Sequence, residues 1–245
     1  MASRLESVVV DAADPRRLAR WWTEALGWAV TAEAPGEVAV EPPDGLGVPL
    51  VFVPVDDPKA GKNRLHLDLA SGSVGHQAAQ VDRLVGLGAR PVDIGQGDVP
   101  WVVLADPGGN ELCVLDPRPE YTATGALAAL VVDTADPAAL AGFWSQAIGW
   151  PPAGSGERWS SLRSASGHGP YLEFIRVDGP KVGKNRLHLD LAPTAGSGQA
   201  AEVARLRALG AAPADVGQGE VSWVVLADPE GNEFCVLTPR PEEEP

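Results

Sequence analysis

A long internal repeat restricts the fold of this chain more than any other feature. The residues 61–70, Gly-Lys-Asn-Arg-Leu-His-Leu-Asp-Leu-Ala, return unchanged at residues 183–192. The segment that begins near Trp101 and contains the turn Asp-Pro-x-Gly-Asn-Glu returns at the same spacing, near Trp223. The register does not slip between these segments, so a whole folding unit is duplicated. Its period is far longer than the roughly 20–50 residues of a solenoid repeat, and the sequence therefore predicts a tandem pair of domains.

The repeat also sets the expected domain boundaries. The 245-residue chain divides into two units, each of about 120 residues and long enough to bury a hydrophobic core without disulfides or metals. We predict domains at residues 1–120 and 126–245, joined by the linker Tyr-Thr-Ala-Thr-Gly at residues 121–125. Cys113 and Cys235 are equivalent positions of the two copies, which favours a side-chain role repeated in each domain over a disulfide framework.

Charge and hydropathy limit the cellular compartments and the classes of partner that the sequence allows. The chain has no apolar run long enough for a transmembrane helix, and its start has no signal-peptide pattern. We therefore predict a cytoplasmic protein without a membrane partner. A net charge of −14 disfavours nucleic acid as a partner and favours cationic small molecules, or it serves solubility alone. The acidic residues 242–244 are expected to form a solvated end.

Each repeat carries the same order of secondary structure twice, β-α-β-β-β. Asp14 and Asp136 are expected helix N-caps, because each is followed by a proline at the first helical position. In residues 64–69 the leucines alternate strictly with charged or titratable residues, among them His66 and Asp68, as in a strand with one apolar and one polar face. The leucine face suits packing against helices, whereas the polar row suits a wet cleft. The chain is therefore predicted to be an α+β protein built from four βαβββ modules.

These motifs resemble the vicinal oxygen chelate superfamily, and within it the glyoxalase-like and bleomycin-resistance proteins of actinobacteria. The helix opening Asp-Pro with the later Leu-Gly-Trp, the strand Arg-Leu-His-Leu and the turn Asp-Pro-x-Gly-Asn-Glu carry the resemblance, which covers both repeats. It implies that the four βαβββ modules form two tandem glyoxalase-like half-barrel domains, each with a cleft for a ligand. It also implies a monomer, in which the two copies pair as homodimeric single-repeat relatives do, or else a homodimer.

The resemblance further marks the positions that bind a divalent metal in metal-dependent members. In the first repeat these positions are Ser7, Val51, His66 and Cys113. In the second repeat they are Ala129, Glu173, His188 and Cys235. Because a hard or borderline divalent ion needs three or more converging ligands, the first repeat falls short with one histidine and a thiol. We therefore expect no metal cofactor, and we place a divalent metal in the second domain, at Glu173 and His188, if one binds at all.

Two pairs of repeated residues are candidates for ligand contact. His66 and His188 either touch a ligand or act as acid or base, or they are held by the neighbouring carboxylates Asp68 and Asp190. The other candidate pair is suited to stacking on a planar ligand. It consists of Trp101 and Trp223.

Two other repeated features have a plainer structural interpretation. Cys113 and Cys235 are expected to be small buried apolar residues unless a nearby base lowers the pKa of the thiol. The Gly-Lys-Asn-Arg run at residues 61–64 lacks the glycine spacing of a phosphate loop, so we expect a solvated entry into the strand.

Three functions remain open from the sequence, and the catalytic residues, like the question of whether any reaction is catalysed, stay unknown. The leading hypothesis is a metal-independent, small-molecule-binding protein of the bleomycin-resistance type, which sequesters an aromatic or cationic ligand. The alternative is a metal-dependent lyase, isomerase or dioxygenase that uses the second repeat. The third is an interaction module with empty clefts. The expected ligand-binding residues are His66, Asp68, Trp101, Cys113, Glu173, His188, Asp190, Trp223 and Cys235.

Overall fold

The computed structural model describes residues 2–194 and 196–239, which form four successive βαβββ modules. The first module contains β1 (Arg4–Ala12), α1 (Pro15–Leu26), β2 (Ala29–Ala34), β3 (Glu37–Glu41) and β4 (Leu50–Pro54). The second contains β5 (Leu65–Leu69), α2 (Val74–Gly86), β6 (Arg90–Pro91), β7 (Val102–Ala105) and β8 (Glu111–Val114), followed by a 3-10 helix (Pro119–Tyr121). The third contains β9 (Leu127–Thr134), α3 (Pro137–Ile148), β10 (Pro152–Gly156), β11 (Trp159–Leu162) and β12 (Tyr171–Arg176). The fourth contains β13 (Leu187–Ala192), α4 (Gln199–Ala208), β14 (Ala212–Pro213), β15 (Val224–Ala227) and β16 (Glu233–Val236).

The strands form two eight-stranded mixed sheets, and each sheet joins one module from each repeat. In the 1–4 sheet the strand order is β14-β15-β16-β13-β1-β4-β3-β2, and in the 2–3 sheet it is β10-β11-β12-β9-β5-β8-β7-β6. The joints are antiparallel, between β1 and β13 and between β5 and β9. The predicted α+β class with four βαβββ modules is confirmed. Each sequence repeat is nevertheless divided between the two sheets.

The first helix of each repeat follows the predicted capping pattern and links the two sheets. The Asp14 side chain accepts a hydrogen bond from the N–H of Arg17, at the start of α1. The buried Trp22 on α1 donates its indole N–H to Asp106, 3.1 Å away in the turn before β8. Trp144 and Asp228 repeat this bond at 3.2 Å. Because α1 packs on the 1–4 sheet while Asp106 belongs to the 2–3 sheet, these bonds fix the helices within one continuous hydrophobic core.

The Gly-Lys-Asn-Arg run is part of a junction between modules, so its prediction as a solvated strand entry is wrong. Lys62 forms an ion pair with Asp133 on β9, and the guanidinium of Arg64 binds Glu230 at 3.0 Å. The backbone N–H of Asn63 donates to the Glu111 carboxylate at 3.1 Å. This segment enters β5 where the second module meets the third and fourth, and its polar groups therefore pair across the joint.

Two predictions concern the whole chain, namely the absence of a membrane span and the acidic end. In the described ranges, no helix is both long enough and apolar enough to cross a membrane. The acidic residues 242–244, predicted as a solvated end, lie outside the part of the chain that the structure describes.

Candidate ligand clefts

The polar face of each sheet carries the same cluster of three side chains. On the 2–3 sheet, His66 and Asp68 project from β5, and Cys113 lies opposite Asp68 on the parallel neighbour β8. We call this face the His66 cleft. The equivalent face of the 1–4 sheet, with His188, Asp190 and Cys235, is the His188 cleft. In both strands the leucines point to the opposite face, into the core, as the alternation predicts.

The imidazole and carboxylate of each cluster lie close together. His66 Nε2 is 3.3 Å from Asp68 Oδ1, and His188 Nε2 is 3.6 Å from Asp190 Oδ1. The structure thus places each histidine against the carboxylate that the sequence suggests. Even so, Asp68 Oδ1 and Asp190 Oδ1 are buried and form no hydrogen bond within the described chain. Each cluster therefore has an acceptor atom that the protein itself leaves unpaired.

Burial favours the uncharged form of the histidine and the aspartate in each cluster. It lowers the pKa of His66 to about 3 and that of His188 to about 4, with Lys62 and Lys184 contributing. Burial raises the pKa of Asp68 to about 8, helped by the charge of Glu173.

The same desolvation acts on the remaining members of the clusters. It raises the pKa of Asp190 to about 7. It also raises the pKa of the Cys113 and Cys235 thiols, and the neighbouring carboxylates raise it further. A buried, protonated thiol is a poor nucleophile, so the two cysteines behave as the small apolar residues that the sequence analysis expects.

Glu173 belongs to the His66 cleft and not to the cleft of its own repeat. On β12 it is paired with Val131 of β9, and the other neighbour of Val131 is His66. The joint assignment of Glu173 and His188 to one metal site is therefore wrong, because β12 and β13 lie in different sheets. In the His188 cleft, Val51 takes the place that Glu173 has in the other, next to Val9.

The segment between the two repeats fills the His66 cleft. The hydroxyl of the buried Tyr121 donates to Glu173 Oε1 at 2.8 Å, and its ring meets Tyr171 edge-on at 5.6 Å between centroids. The Arg118 guanidinium lies 5.7 Å from the centre of the Trp101 ring. Tyr121 was predicted to lie in the linker 121–125, and Arg118, at the end of the predicted domain 1–120, was not singled out as a site residue. The available signal was the sequence Pro-Arg-Pro-Glu at residues 117–120, which recurs at residues 239–242.

The His188 cleft is more open. Trp223, the counterpart of the half-buried Trp101, is 40% exposed. Two acidic side chains from the first module, Glu6 and Glu37, lie close enough to raise the pKa of Asp190 by charge repulsion. A cavity of about 400 Å³ lies near the end of β13, between Glu6 and Leu237, and His188, Asp190, Trp223 and Cys235 do not line it. This cleft therefore combines an accessible aromatic ring with a group of acids.

Each cluster also fits a metal ion by its donor set. The imidazole nitrogen, carboxylate oxygen and thiol sulfur of His66, Asp68 and Cys113 all lie within 4.8 Å of one another, and the same holds in the His188 cleft. Nitrogen, oxygen and sulfur together suit a borderline ion such as Zn²⁺, which takes three protein ligands at catalytic sites. The unpaired Asp68 Oδ1 agrees with this. Asp68 and Asp190 were not predicted as metal ligands, because the resemblance marks other positions.

Solved structures of glyoxalase type share this architecture over nearly the whole chain. Glyoxalase I from Zea mays is 14% identical with a TM-score of 0.64, and the match covers 97% of this chain and 92% of that chain. A putative dioxygenase from Bacillus subtilis is 13% identical with a TM-score of 0.63, over 97% of this chain and 86% of that chain. At such low identity the likeness concerns the fold. No curated protein matches the chain significantly.

The sequence itself matches a known domain family twice. The family described as the glyoxalase-like domain matches residues 7–115 and 129–237, which together make up most of the chain. The resemblance drawn from the motifs is thus confirmed, together with the tandem arrangement. This chain belongs to the glyoxalase-like domain family, and it carries that domain twice.

Proposed function

We propose that the protein binds and sequesters an aromatic or cationic small molecule, without a metal, in the cleft of the 1–4 sheet. The observation that carries this proposal is Trp223, an indole left 40% exposed at the edge of a polar sheet face. Large exposed aromatic side chains beside a concave polar surface are typical of ligand contacts, since the ring offers both apolar area and a π face. The nearby acids Asp190, Glu6 and Glu37 add attraction for positive charge.

Binding without chemistry is favoured by the state of His188 and Cys235. A general base works best when its pKa lies near the working pH. Burial has moved the pKa of His188 to about 4 and has raised the pKa of the Cys235 thiol, so neither group is poised for proton transfer or nucleophilic attack at pH 7. Asp190, with a pKa of about 7, is the member of the cluster that changes charge near pH 7, and its carboxylate suits the attraction of a cation.

Ligand binding is tested by titrating the protein with a planar cation, N-methylquinolinium, and with a planar anion, 2-naphthoate. We expect the cation to quench tryptophan fluorescence and to raise the melting temperature, and we expect Trp223→Ala to lose about tenfold in affinity. Trp159→Ala is the matched control, because Trp159 is 41% exposed but lies on the 2–3 sheet. If neither compound changes fluorescence or melting temperature, the proposed function is wrong.

A second candidate is a metal-dependent enzyme, as the alternative from the sequence holds, and the repeated donor clusters favour it. The cluster of the fourth module, His188, Asp190 and Cys235, would hold the ion in a lyase, isomerase or dioxygenase. A bound divalent ion supplies a Lewis acid for a substrate oxygen. Elemental analysis of the purified protein, with titration by manganese, nickel, zinc and iron, distinguishes the two candidates. A stoichiometric metal that is lost in Asp190→Ala would favour the enzyme, whereas no metal and no thermal shift would favour the binding protein.

A further inference from the structure

We infer that the protein takes up one ligand per chain, in the His188 cleft, and that this ligand carries a guanidinium or amidinium group, because the chain's own Arg118 fills the corresponding place in the His66 cleft. The inference rests on the proposed function and adds to it the number of sites and the chemical class of the ligand.

In the His66 cleft a planar cation is already in place. The Arg118 guanidinium lies 5.7 Å from the Trp101 ring centre and 5.9 Å from that of Tyr121. Burial raises the pKa of both Asp68 and Glu173, and the charge of Arg118 partly offsets this rise, which places the guanidinium near these two acids. Aromatic faces and carboxylates together are the usual surroundings of a guanidinium, which stacks and forms hydrogen bonds in one plane. The cleft is therefore a guanidinium site that the protein itself occupies.

A carboxylate of the same segment holds this internal cation. The Asp116 carboxylate accepts hydrogen bonds from Arg118 Nε at 3.1 Å and from its terminal nitrogen at 2.8 Å. The hydroxyl of Tyr121 is bonded to Glu173. Because Arg118 is held beside Trp101, we expect no ligand in this cleft.

A second layer keeps the segment against the sheet. The Tyr171 ring, which packs against Tyr121, has the Arg163 guanidinium 4.6 Å from its centre. Arg163 also donates a hydrogen bond to the Tyr171 hydroxyl at 3.0 Å and another to the Ala123 carbonyl at 3.1 Å. The closure of the His66 cleft thus rests on a connected network and not on a single bond.

Three of the residues that surround Arg118 in the His66 cleft have no equivalents in the His188 cleft. Thr238 stands where Asp116 stands, and its hydroxyl donates to the Ser222 carbonyl at 2.6 Å. Glu243 takes the position of Tyr121 in the repeat, and Val51 takes that of Glu173. Among residues 2–194 and 196–239, a range that does not include Arg240, the counterpart of Arg118, no arginine or lysine lies over Trp223. The ring that stacks on a cation in one cleft is thus exposed in the other.

The polar groups beside Trp223 match the same kind of ligand. Asp190 Oδ1 is a buried acceptor without a hydrogen-bond partner in the described chain. Glu37 and Glu6, the latter paired with Arg4, add negative charge around it. The N–H groups of an amidinium satisfy such an acceptor and, by their charge, favour its ionised form. A neutral or anionic analogue of the same shape lacks this gain.

The experiment is isothermal titration of the full-length protein with benzamidine, benzamide and benzoate, which share one shape and differ in charge. We expect one benzamidine per chain, and at least tenfold weaker binding of benzamide and benzoate. Asp190→Asn and Trp223→Ala should each weaken benzamidine about tenfold, while Trp159→Ala should not, with circular dichroism confirming that each variant folds. Arg118→Ala should create a second benzamidine site by vacating the stacking place over Trp101.

Each contrary result has a separate meaning. Equal binding of the three compounds overturns the assignment of ligand class but leaves the proposed binding function standing. Two sites in the unaltered protein overturn the closure of the His66 cleft. Arg240, the counterpart of Arg118 in the repeat, is tested by Arg240→Ala. If benzamidine binds only after that change, the chain fills both clefts itself and the inference is wrong.

Discussion

The two clefts have the same strands and clusters but differ in access. The side chains of His66 and Asp68 are 12% and 10% exposed, and those of His188 and Asp190 are 15% and 14% exposed, so the clusters themselves are almost equally buried. The difference lies at the rim, where Trp101 is half-buried and Trp223 is 40% exposed. The strand that carries the histidine is identical in both copies, from the glycine at residue 61 to the alanine at residue 70. What differs is the surroundings, with Glu173 in one cleft and Val51 in the other. The duplication has thus kept the residues that form the sheets and the core, while the residues that decide entry have diverged.

The difference arises because each cleft draws on both repeats. Glu173 comes from the second repeat, yet it faces a histidine of the first. A substitution in one repeat therefore changes the cleft whose histidine lies in the other. In a tandem protein of this kind, the residues of one ligand site belong to one sheet, and they come from both sequence repeats.

The largest effects should be equal in the two halves, because the core is symmetric. Trp22→Ala and Trp144→Ala each remove a buried indole and leave Asp106 or Asp228 without one of its donors. We expect each to lower the free energy of unfolding by about 3–5 kcal/mol. Urea unfolding monitored by circular dichroism measures both. A difference of more than about 2 kcal/mol between the two variants would contradict a shared core.

A smaller loss of stability is expected for a change in the His66 cleft, and the His188 cleft has no equivalent of it. Tyr121→Phe deletes the hydroxyl that is bonded to Glu173 and leaves a buried carboxyl without its donor. We expect a loss of about 1–3 kcal/mol in the free energy of unfolding. The double variant Tyr121→Phe/Glu173→Val copies the residue of the open cleft at that position and should recover most of the loss. Urea unfolding of the single and double variants checks this, and no recovery would mean that Glu173 is stabilised by other groups.

The pH dependence should also separate the clefts. Asp68 has its pKa raised from 3.8 to about 8, and Asp190 from 3.8 to about 7. Between the unfolded and folded pKa values the folded protein binds the extra proton, so stability is greatest at low pH and falls as the pH rises. The histidines act in the opposite sense, but only below their unfolded pKa of 6.5. The net decline therefore lies between about pH 6.5 and 8.

Two variants show which aspartate causes the fall in the free energy of unfolding above pH 6.5. We expect the free energy of unfolding to fall by about 1 kcal/mol from pH 7 to pH 8, the amount for one proton per pH unit. Asp68→Asn should flatten the decline over this interval, while Asp190→Asn should leave most of it. Urea midpoints at half-unit steps of pH provide the measurement. An unchanged slope in Asp68→Asn would show that this carboxyl is already ionised at pH 7.

Local patterns predicted the elements and the faces correctly. The aspartate–proline pairs set the helix starts, and the alternation of leucine with His66 and Asp68 set which face turns to the core. These signals act over a few residues, and they are strong because burial imposes a period of two on a strand.

Strand order, in contrast, could not be read from the same patterns. Alternation fixes the face of β5 but does not say whether its neighbour is β9 or another strand with the same pattern. For that reason Glu173 was assigned with His188. Tyr121 was likewise taken for a linker residue, because its burial depends on a sheet formed by residues far away in sequence. Both errors concern which strands become neighbours in the folded protein, and the sequence around each residue does not indicate this.

The smallest expected effect is a difference in thiol reactivity, which reports access directly. Both thiols are buried and have a raised pKa, so both should react slowly with a disulfide reagent such as 5,5′-dithiobis(2-nitrobenzoate) in the native protein. Cys235 should still react several-fold faster than Cys113, because no described side chain covers the His188 cleft as Tyr121 covers the other. The single variants Cys113→Ser and Cys235→Ser assign the two rates. Tyr121→Ala should speed only Cys113, and equal rates for the two thiols in the unaltered protein would mean that both clefts open together.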